Sequence, residues 1–498
     1  MKRYQLHQAI GATLVIAGLI GLTGCFGSWG RPDKPPGTVV WGDPATLDAL
    51  DLAATRTLGV QEVFLAAGEV EWNGSTPQVR IAKLAPLRGQ MPVTLVVSGQ
   101  WPVVLGDSKA AGTRLAAELR RLQLDAEARG LFPIGVHLDL AATGNLVSYA
   151  QGLRAIRGVL PKPLFLSVSV GRTSLQDEAV AKVARAVDYS VVFLYGQRPG
   201  QGEDTKAWDF QEVVRNVQRA EALKRPYRIG VVLLGTASHR SAGGDTLEST
   251  TEMSLRDLAL NPRLKLEGGF TLEGLDREVY GFHVEGATEV GSWKVARGDS
   301  VRVVGTGPTY LQSLRKHIQE VATPRYLGQV FYRLPTPTER LTPTISQLGD
   351  ALAAQPPTLD LLLSAEALDR NSQHWVFKVA IENRNDERSD IAMLNNNFVE
   401  VSTDGGLLGT VQAGAFPRFE LLRKGSDKVD IEALRSPERL RLYLPILEGA
   451  GKLETGPIEF KPRDRNAQIT LSASFLLPDG RTVLATPVVW TPTPPKAK

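Results

Sequence analysis

The stretch "PIGVHLDLAATG", residues 133–144, decides how the rest of the chain is read. In an extended segment Ile134, Val136 and Leu138 share one face, while Gly135, His137 and Asp139 share the other. The apolar face packs against helices, so His137 and Asp139 point the opposite way, into the interior of a sheet that is buried on both sides. A strand that carries an imidazole and a carboxylate inward is a candidate catalyst, ligand site or scaffold.

Seven further segments of this kind are spread along the chain. They are "TVVWGD" (38–43), "EVFLAAGEVEW" (62–72), "VTLVVSG" (93–99), "LFLSVSV" (164–170), "YSVVFLYG" (189–196), "YRIGVVLLG" (227–235) and "GQVFYRL" (328–334). Helical periodicity fills much of the space between them. Leu115, Leu119 and Leu122 follow i, i+4, i+7 and Gly130 stops that helix. Leu146, Tyr149, Leu153 and Ile156 make a second stripe, and "SLQD" at 174–177 reads as a capping box opening a helix that buries Val180, Val183 and Val187. Eight strands alternating with helices predict an α/β fold, a parallel (β/α)8 TIM-like barrel spanning residues 38–337. An open doubly wound sheet is the competing architecture, but no glycine-rich dinucleotide turn follows the first strand.

The connection between the seventh and eighth strands, about 236–325, is far longer than one crossover needs. It holds a polar, flexible-looking stretch, "TASHRSAGGDTLESTTE", then strand-like "GGFTLEG", "YGFHVEG", "GSWKVAR" and "SVRVVG", then a helix near 308–321. A β-rich insertion is expected, either one wall of a cleft or a packing decoration. Beyond "RLPTPTERLTP" the pattern becomes alternating strands without long helical stripes, including 375–385, 398–403, 439–446 and 467–477. Residues 338–490 therefore read as an all-β sandwich, and 491–498 as a disordered tail.

The chain has 498 residues, 43% of them hydrophobic and 22% charged, which suits a multidomain globular protein. Its formal net charge of +4 includes Lys2 and Arg3, and its other basic residues alternate with acids, so no nucleic-acid footprint is present. Residues 1–24 combine a basic start with an uncharged apolar run too short for a comfortable membrane span. The run ends in "LTGC", and Cys25 is the only cysteine. Leu22, Thr23 and Gly24 before Cys25 resemble a bacterial lipoprotein signal. That resemblance implies cleavage before Cys25, acylation of its thiol and a lipid-bilayer partner. Phe26, in place of Asp, favours the outer membrane of a Gram-negative cell envelope. Residues 25–37 then read as a Pro/Gly tether.

In a barrel, function sits at the C-terminal strand ends. Asp139 is the leading candidate, because an inward carboxylate is costly unless it is paired or used. His137 either pairs with it or caps the core. Around them the strand ends offer Trp41, Asp43, Glu69, Glu71, Thr94, Ser98, Trp101, Ser167, Ser169, Tyr195, Gln197, His239, Tyr332 and Arg333. Carboxylates with aromatics and small hydroxyls suit a sugar cleft, since aromatic faces stack on sugar rings and two carboxylates share acid and base roles. Asp139 and Glu69 are the expected pair for catalysis, and His137, Trp41, Asp43, Trp101, Ser169, Tyr195 and Arg333 the expected ligand contacts. Against this, Glu69 and Glu71 also read as solvating charges, and Arg333 as a structural counter-ion for Asp139.

"IGVHLDL", "LFLSVSV" and "GQVFYRLP" resemble a bacterial lipoprotein family known as domain of unknown function 3142, over roughly residues 38–340. More distantly, the barrel is similar to chitinase-like glycoside hydrolases, whose fourth strand carries a D-x-D-x-E pattern. On that pattern His137 and Asp139 take the two Asp positions and Ala141 stands where the acid donor belongs. The resemblance thus implies a glycosidase-like barrel that binds a polysaccharide or an envelope partner without cleaving it, with hydrolysis through Asp139 as the alternative. No "GxSxG", "HExxH", phosphate loop or metal-ligand spacing occurs, and "GTGPTY" (305–310) has only two glycines of a dinucleotide turn, so neither cofactor nor metal is expected.

Overall fold

Barrel strand one, Thr38–Gly42, is hydrogen-bonded on both edges. It runs parallel to strand two (Glu62–Asn73) on one side and to strand eight (Tyr326–Tyr332) on the other. Strands three (Val93–Gln100), four (Pro133–Ala141), five (Phe165–Gly171), six (Tyr189–Phe193) and seven (Tyr227–Val232) complete the circuit, every neighbouring pair parallel. The chain is therefore a closed (β/α)8 barrel, followed by an all-β region. The computed structural model describes residues 37–48, 56, 59–84, 91–102, 106–142, 145–194, 210–271, 278–336, 338–370, 374–391, 396–464 and 466–491. The signal, Cys25, the tether up to residue 36, Tyr195, Gln197 and the tail from residue 492 lie outside the described residues.

Alternation along the strands sorts side chains into two cores. Val136, Leu138 and Leu140 of strand four join Leu95, Val97, Leu166 and Val168 in the layer beneath the helices. That layer is closed by Leu115, Leu119 and Leu122 of helix Ser108–Ala128 and by Tyr149, Leu153 and Ile156 of helix Leu146–Val159. Inside the barrel lie Val39, Trp41, Phe64, Val96, Phe165, Tyr189, Val191 and Val330. This inner core also holds an ion pair. Arg228 Nη2 donates to Glu62 Oε2 at 2.8 Å, with both side chains sealed from solvent. Thr94 Oγ1 donates to the other Glu62 oxygen at 2.5 Å, and the guanidinium lies over the rings of Tyr189 (5.0 Å) and Phe64 (5.8 Å).

Three local expectations need correction. Strand two continues past the barrel rim and folds back as an antiparallel hairpin with Thr76–Ile81, a strand not anticipated from sequence. "SLQD" does not open a helix at Ser174. Thr173–Gln176 is a 3₁₀ turn, Asp177 Oδ1 accepts from the Ala179 amide, and the helix begins at Val180. Val180 and Val183 of that helix are buried as the spacing predicts, and Val187, beyond its last residue Ala184, is buried too. The polar stretch 236–252 contains two paired strands, Thr236–Arg240 and Thr246–Thr250, reversed at Gly244, where φ is +91°. Ala237 and His239 alternate into a core there, which outweighs the polar composition.

Those strands join Leu264–Thr271, Glu278–Val284 and Ser300–Val304 in a five-stranded antiparallel sheet, the insertion. Its core includes Ile391 and Ile446 from the C-terminal region, and Tyr280 Oη donates to Asp390 Oδ1 at 2.7 Å. The C-terminal region itself stacks two antiparallel sheets. Phe377, Val379 and Ile381 of one meet Val399, Val401, Leu440, Leu471 and Phe475 of the other.

Truncating one member of the buried ion pair strands a charge, so Arg228→Met is expected to lower stability by about 3–5 kcal/mol. The double change Glu62→Gln with Arg228→Met is expected to recover most of that loss. Guanidinium unfolding followed by tryptophan fluorescence measures both, and a single-variant cost under about 1 kcal/mol contradicts a structural role for the pair.

Candidate functional site: the C-terminal mouth of the barrel

Strand four brings His137 to a fully buried position one layer above the ion pair. Its register pairs it with Ser167 on strand five, so Nδ1 meets Ser167 Oγ and Nε2 meets Ser169 Oγ, each at 2.9 Å. Trp41 stands edge-on to the imidazole (5.4 Å) and Phe64 packs at 5.0 Å. Burial first, and the nearby Arg228 charge second, push the imidazole down to about 3. His137 is therefore a neutral ring that spends both nitrogens on hydroxyls. It does not pair with Asp139, two residues along the same strand, because its cross-strand neighbours occupy both ring nitrogens.

Asp139 lies on the same inward face, half-buried, opposite Ser98 in register. Its influence is visible on Tyr149, whose phenol is pushed up by burial and then by the Asp139 charge. The aromatic part of the mouth is a three-ring cluster. Trp41 meets Tyr332 at 4.9 Å and Phe193 at 6.1 Å, and those two rings lie 6.0 Å apart, edge to face. Trp41 itself is buried, so the half-exposed surface belongs to Tyr332 and Phe193.

The remaining candidates are placed elsewhere or are already engaged. Asp43 Oδ1 accepts from the Thr46 amide at 2.7 Å and opens the short helix Pro44–Asp48. Glu69 and Glu71 stand on the hairpin and share Arg80, at 2.8 and 3.4 Å, with about half of each side chain exposed. Trp101 is 2% exposed and does not offer a face to the mouth. It is wedged between Trp72 and Tyr149, and a Cβ on Gly152 would collide with its ring. Arg333 does not reach Asp139 as its counter-ion; it grips Glu339 with both terminal nitrogens, at 3.0 and 2.8 Å. His239 belongs to the insertion core, bonded to Asp299 at 2.8 Å and stacked on Trp293. Sequence reading missed Glu62, Arg228 and Phe193. An arginine inside the apolar run "YRIGVV" was the available signal for the first pair.

Among the described residues no group of three or more His, Cys, Asp or Glu side chains is placed to hold a metal ion. Of the candidate strand-end carboxylates, Asp43 is a helix cap, Glu69 and Glu71 are a solvated hairpin pair, and Asp139 faces inward. A two-carboxylate hydrolysis needs two acids facing each other roughly 5–10 Å apart across the scissile bond.

Fold and site together define a (β/α)8 barrel with a β insertion and a β-sandwich, with Asp139 an inward carboxylate at the barrel mouth. Solved structures to which the chain is similar include three bacterial enzymes. The spore cortex-lytic enzyme SleL of Bacillus cereus is 17% identical, with 65% of this chain and 75% of that one covered and a TM-score of 0.44. Chitinase ChiA74 from Bacillus thuringiensis is 10% identical, covering 88% and 100%, with a TM-score of 0.41. A class V chitinase from Pseudomonas fluorescens is 12% identical, covering 64% and 99%, with a TM-score of 0.43. No family model and no curated protein matches the chain.

The His137 geometry has a measurable consequence. The folded state holds the imidazole far below its ordinary value of 6.5, so the stability it contributes is present above pH 6.5 and is lost as pH falls towards 3. Histidine-labelled NMR, assigned with His137→Gln, is expected to show no protonation of His137 between pH 8 and 5. A His137 resonance titrating near pH 6.5 contradicts the buried, doubly bonded ring.

Proposed function

We propose that this chain is a lipid-anchored module of the bacterial cell envelope whose barrel mouth binds a glycan without cleaving it. One observation carries the non-catalytic part. The inward face of strand four runs His137, Asp139, Ala141, with the imidazole neutral and doubly bonded and a methyl group last. Glu69, the other acid considered for proton transfer, is engaged by Arg80 on the hairpin. A half-buried Asp139 is a good acceptor for sugar hydroxyls, and Ala141 supplies no acid to share acid–base work with it. Tyr332 and Phe193 supply apolar surface for the faces of a sugar ring. The half-buried, inward carboxylate is also what a hydrolytic alternative through Asp139 would use, so turnover must be assayed together with binding.

Envelope anchoring rests on residues 1–25. The lipobox-like Leu22–Thr23–Gly24–Cys25 supports acylation of Cys25, and the absence of Asp at position 26 supports the outer membrane of a Gram-negative bacterium. Likeness to the domain of unknown function 3142 lipoproteins belongs to the same proposal. Among the described residues no helix is long and apolar enough to cross a membrane.

A glycan panel probed with the purified chain is expected to give a hit without product. Asp139→Ala should weaken that hit roughly ten- to a hundredfold, the effect of losing hydrogen bonds to a charged acceptor. Trp101→Ala should leave affinity unchanged while costing about 3–5 kcal/mol of stability, because its ring is core. Product formation that Asp139→Ala abolishes would establish the hydrolase instead, and a blank panel would move the search to protein partners. For the anchor, Cys25→Ser is expected to shift the expressed chain from the membrane fraction to the soluble one; unchanged membrane fractionation counts against acylation.

A further inference from the structure

Glu387 lies where the sandwich meets helix Ile345–Leu352, the element that follows the barrel. That helix is held on two sides. From the barrel, Arg315 Nη1 donates to the Leu352 carbonyl at 2.5 Å and Gln312 Nε2 to the Gln355 carbonyl at 2.8 Å. From the sandwich side, Asp386 Oδ2 accepts from Thr344 Oγ1 at 2.9 Å, and the Asp386 carbonyl accepts from Gln347 Nε2 at 3.2 Å. Glu387 follows immediately and turns inward. It is 5% exposed, and its Oε1 has no hydrogen-bond partner.

Three acids surround it, one of them bridged to an arginine. Asp350 faces it from the helix, Asp386 from its own segment and Asp479 from the turn after strand Gln468–Leu476. Gln347 is the neighbour that favours an ionised Glu387. Arg481 is engaged with Asp479 at 2.6 Å and with the Pro357 carbonyl. Arg388 is directed away, over the ring of Tyr280. Glu448, on the facing loop, accepts at its carbonyl from Asn383 Nδ2, which also holds the Glu387 carbonyl, and at its carboxylate from Ser254. A buried carboxyl with an open lone pair among three acids is neutral at a cost and charged at a larger one.

We propose that Glu387 is a proton-operated catch between barrel and sandwich: protonated, it seats helix Ile345–Leu352 on the sandwich, and ionised, it repels Asp350, Asp386 and Asp479 and loosens that seat. This is independent of the glycan reading. Burial, opposed by Gln347 and reinforced by the three acids, pushes the carboxyl from 4.5 up to about 7. An acid raised in the closed form and ordinary in the opened one favours closure fully below pH 4.5. The advantage is then lost at roughly tenfold per pH unit until about pH 7, above which it is gone and the opening equilibrium levels off.

Hydrogen exchange of the amides of 348–354 in the full chain, compared between wild type and Glu387→Gln at matched pH, reads this directly, because intrinsic exchange rates cancel in the ratio. The ratio of wild-type to variant exchange is expected to climb about tenfold per pH unit from pH 5 to 7 and then level off. Asp350→Asn, which removes one opposing charge and keeps Glu387, is expected to show a smaller climb than wild type. A ratio constant from pH 5 to 8 overturns the proposal. If Glu387→Gln does not fold, equal exchange of wild type and Asp350→Asn at every pH overturns it in the same way.

Discussion

A five-residue strand with both edges occupied holds this molecule in its shape. Thr38–Gly42 pairs with Glu62–Leu65 on one side and Gln329–Tyr332 on the other, and without either ladder the parallel sheet would be open. Closure forces every second side chain into a space narrow enough to be filled by side chains alone. Trp41 is thereby confined among Phe64, Phe193, Tyr332 and His137. Two glycines make the fit possible. A Cβ at Gly230 would overlap the Phe193 ring, and one at Gly135 would press on Thr94 Oγ1 at 2.8 Å. The ion pair beneath and the imidazole above are consequences of that confinement, since polar groups trapped in such a core must satisfy one another.

Period-two and period-3.6 patterns were enough to read the eight barrel strands, the three leucines of helix Ser108–Ala128 and the sandwich, because each of those elements buries one face against a large partner. Reading failed where burial was local. "TASHR" looks like a polar loop, yet Ala237 and His239 enter a small core whose other members come from residues as much as 209 positions away, such as Ile446. At the site, the inward direction of His137 and Asp139 followed from alternation alone. Their partners did not, because cross-strand register fixes them: Ser167 lies beside His137 only after strands four and five align. Trp101 shows the limit from the other side. An aromatic at a strand end has two destinations, the mouth or the helix layer, and Gly152, fifty-one residues later, supplies the gap that decides it.

The insertion is tied to the sandwich at several kinds of contact at once. Ile391, Ile446 and Leu341 contribute to its core, Tyr280 bonds to Asp390, and Arg388 covers the Tyr280 ring. A segment that shares a hydrophobic core with the next domain is not hinged at its two ends alone. Swinging it open would expose those isoleucines and break the Tyr280 bond, so it belongs mechanically to the sandwich rather than to the barrel loop from which it emerges.

Several charged groups at the described strand ends are engaged with one another. Arg228 and Glu62 neutralise each other, His137 is uncharged, and Arg333 is consumed by Glu339. Asp139 is half-buried on the inward face, and Asp43 accepts from an amide. Under the proposed glycan reading, a neutral, hydroxyl-rich ring would meet an acceptor at Asp139 and aromatic edges at Tyr332 and Phe193, whose rings lie 6.0 Å apart.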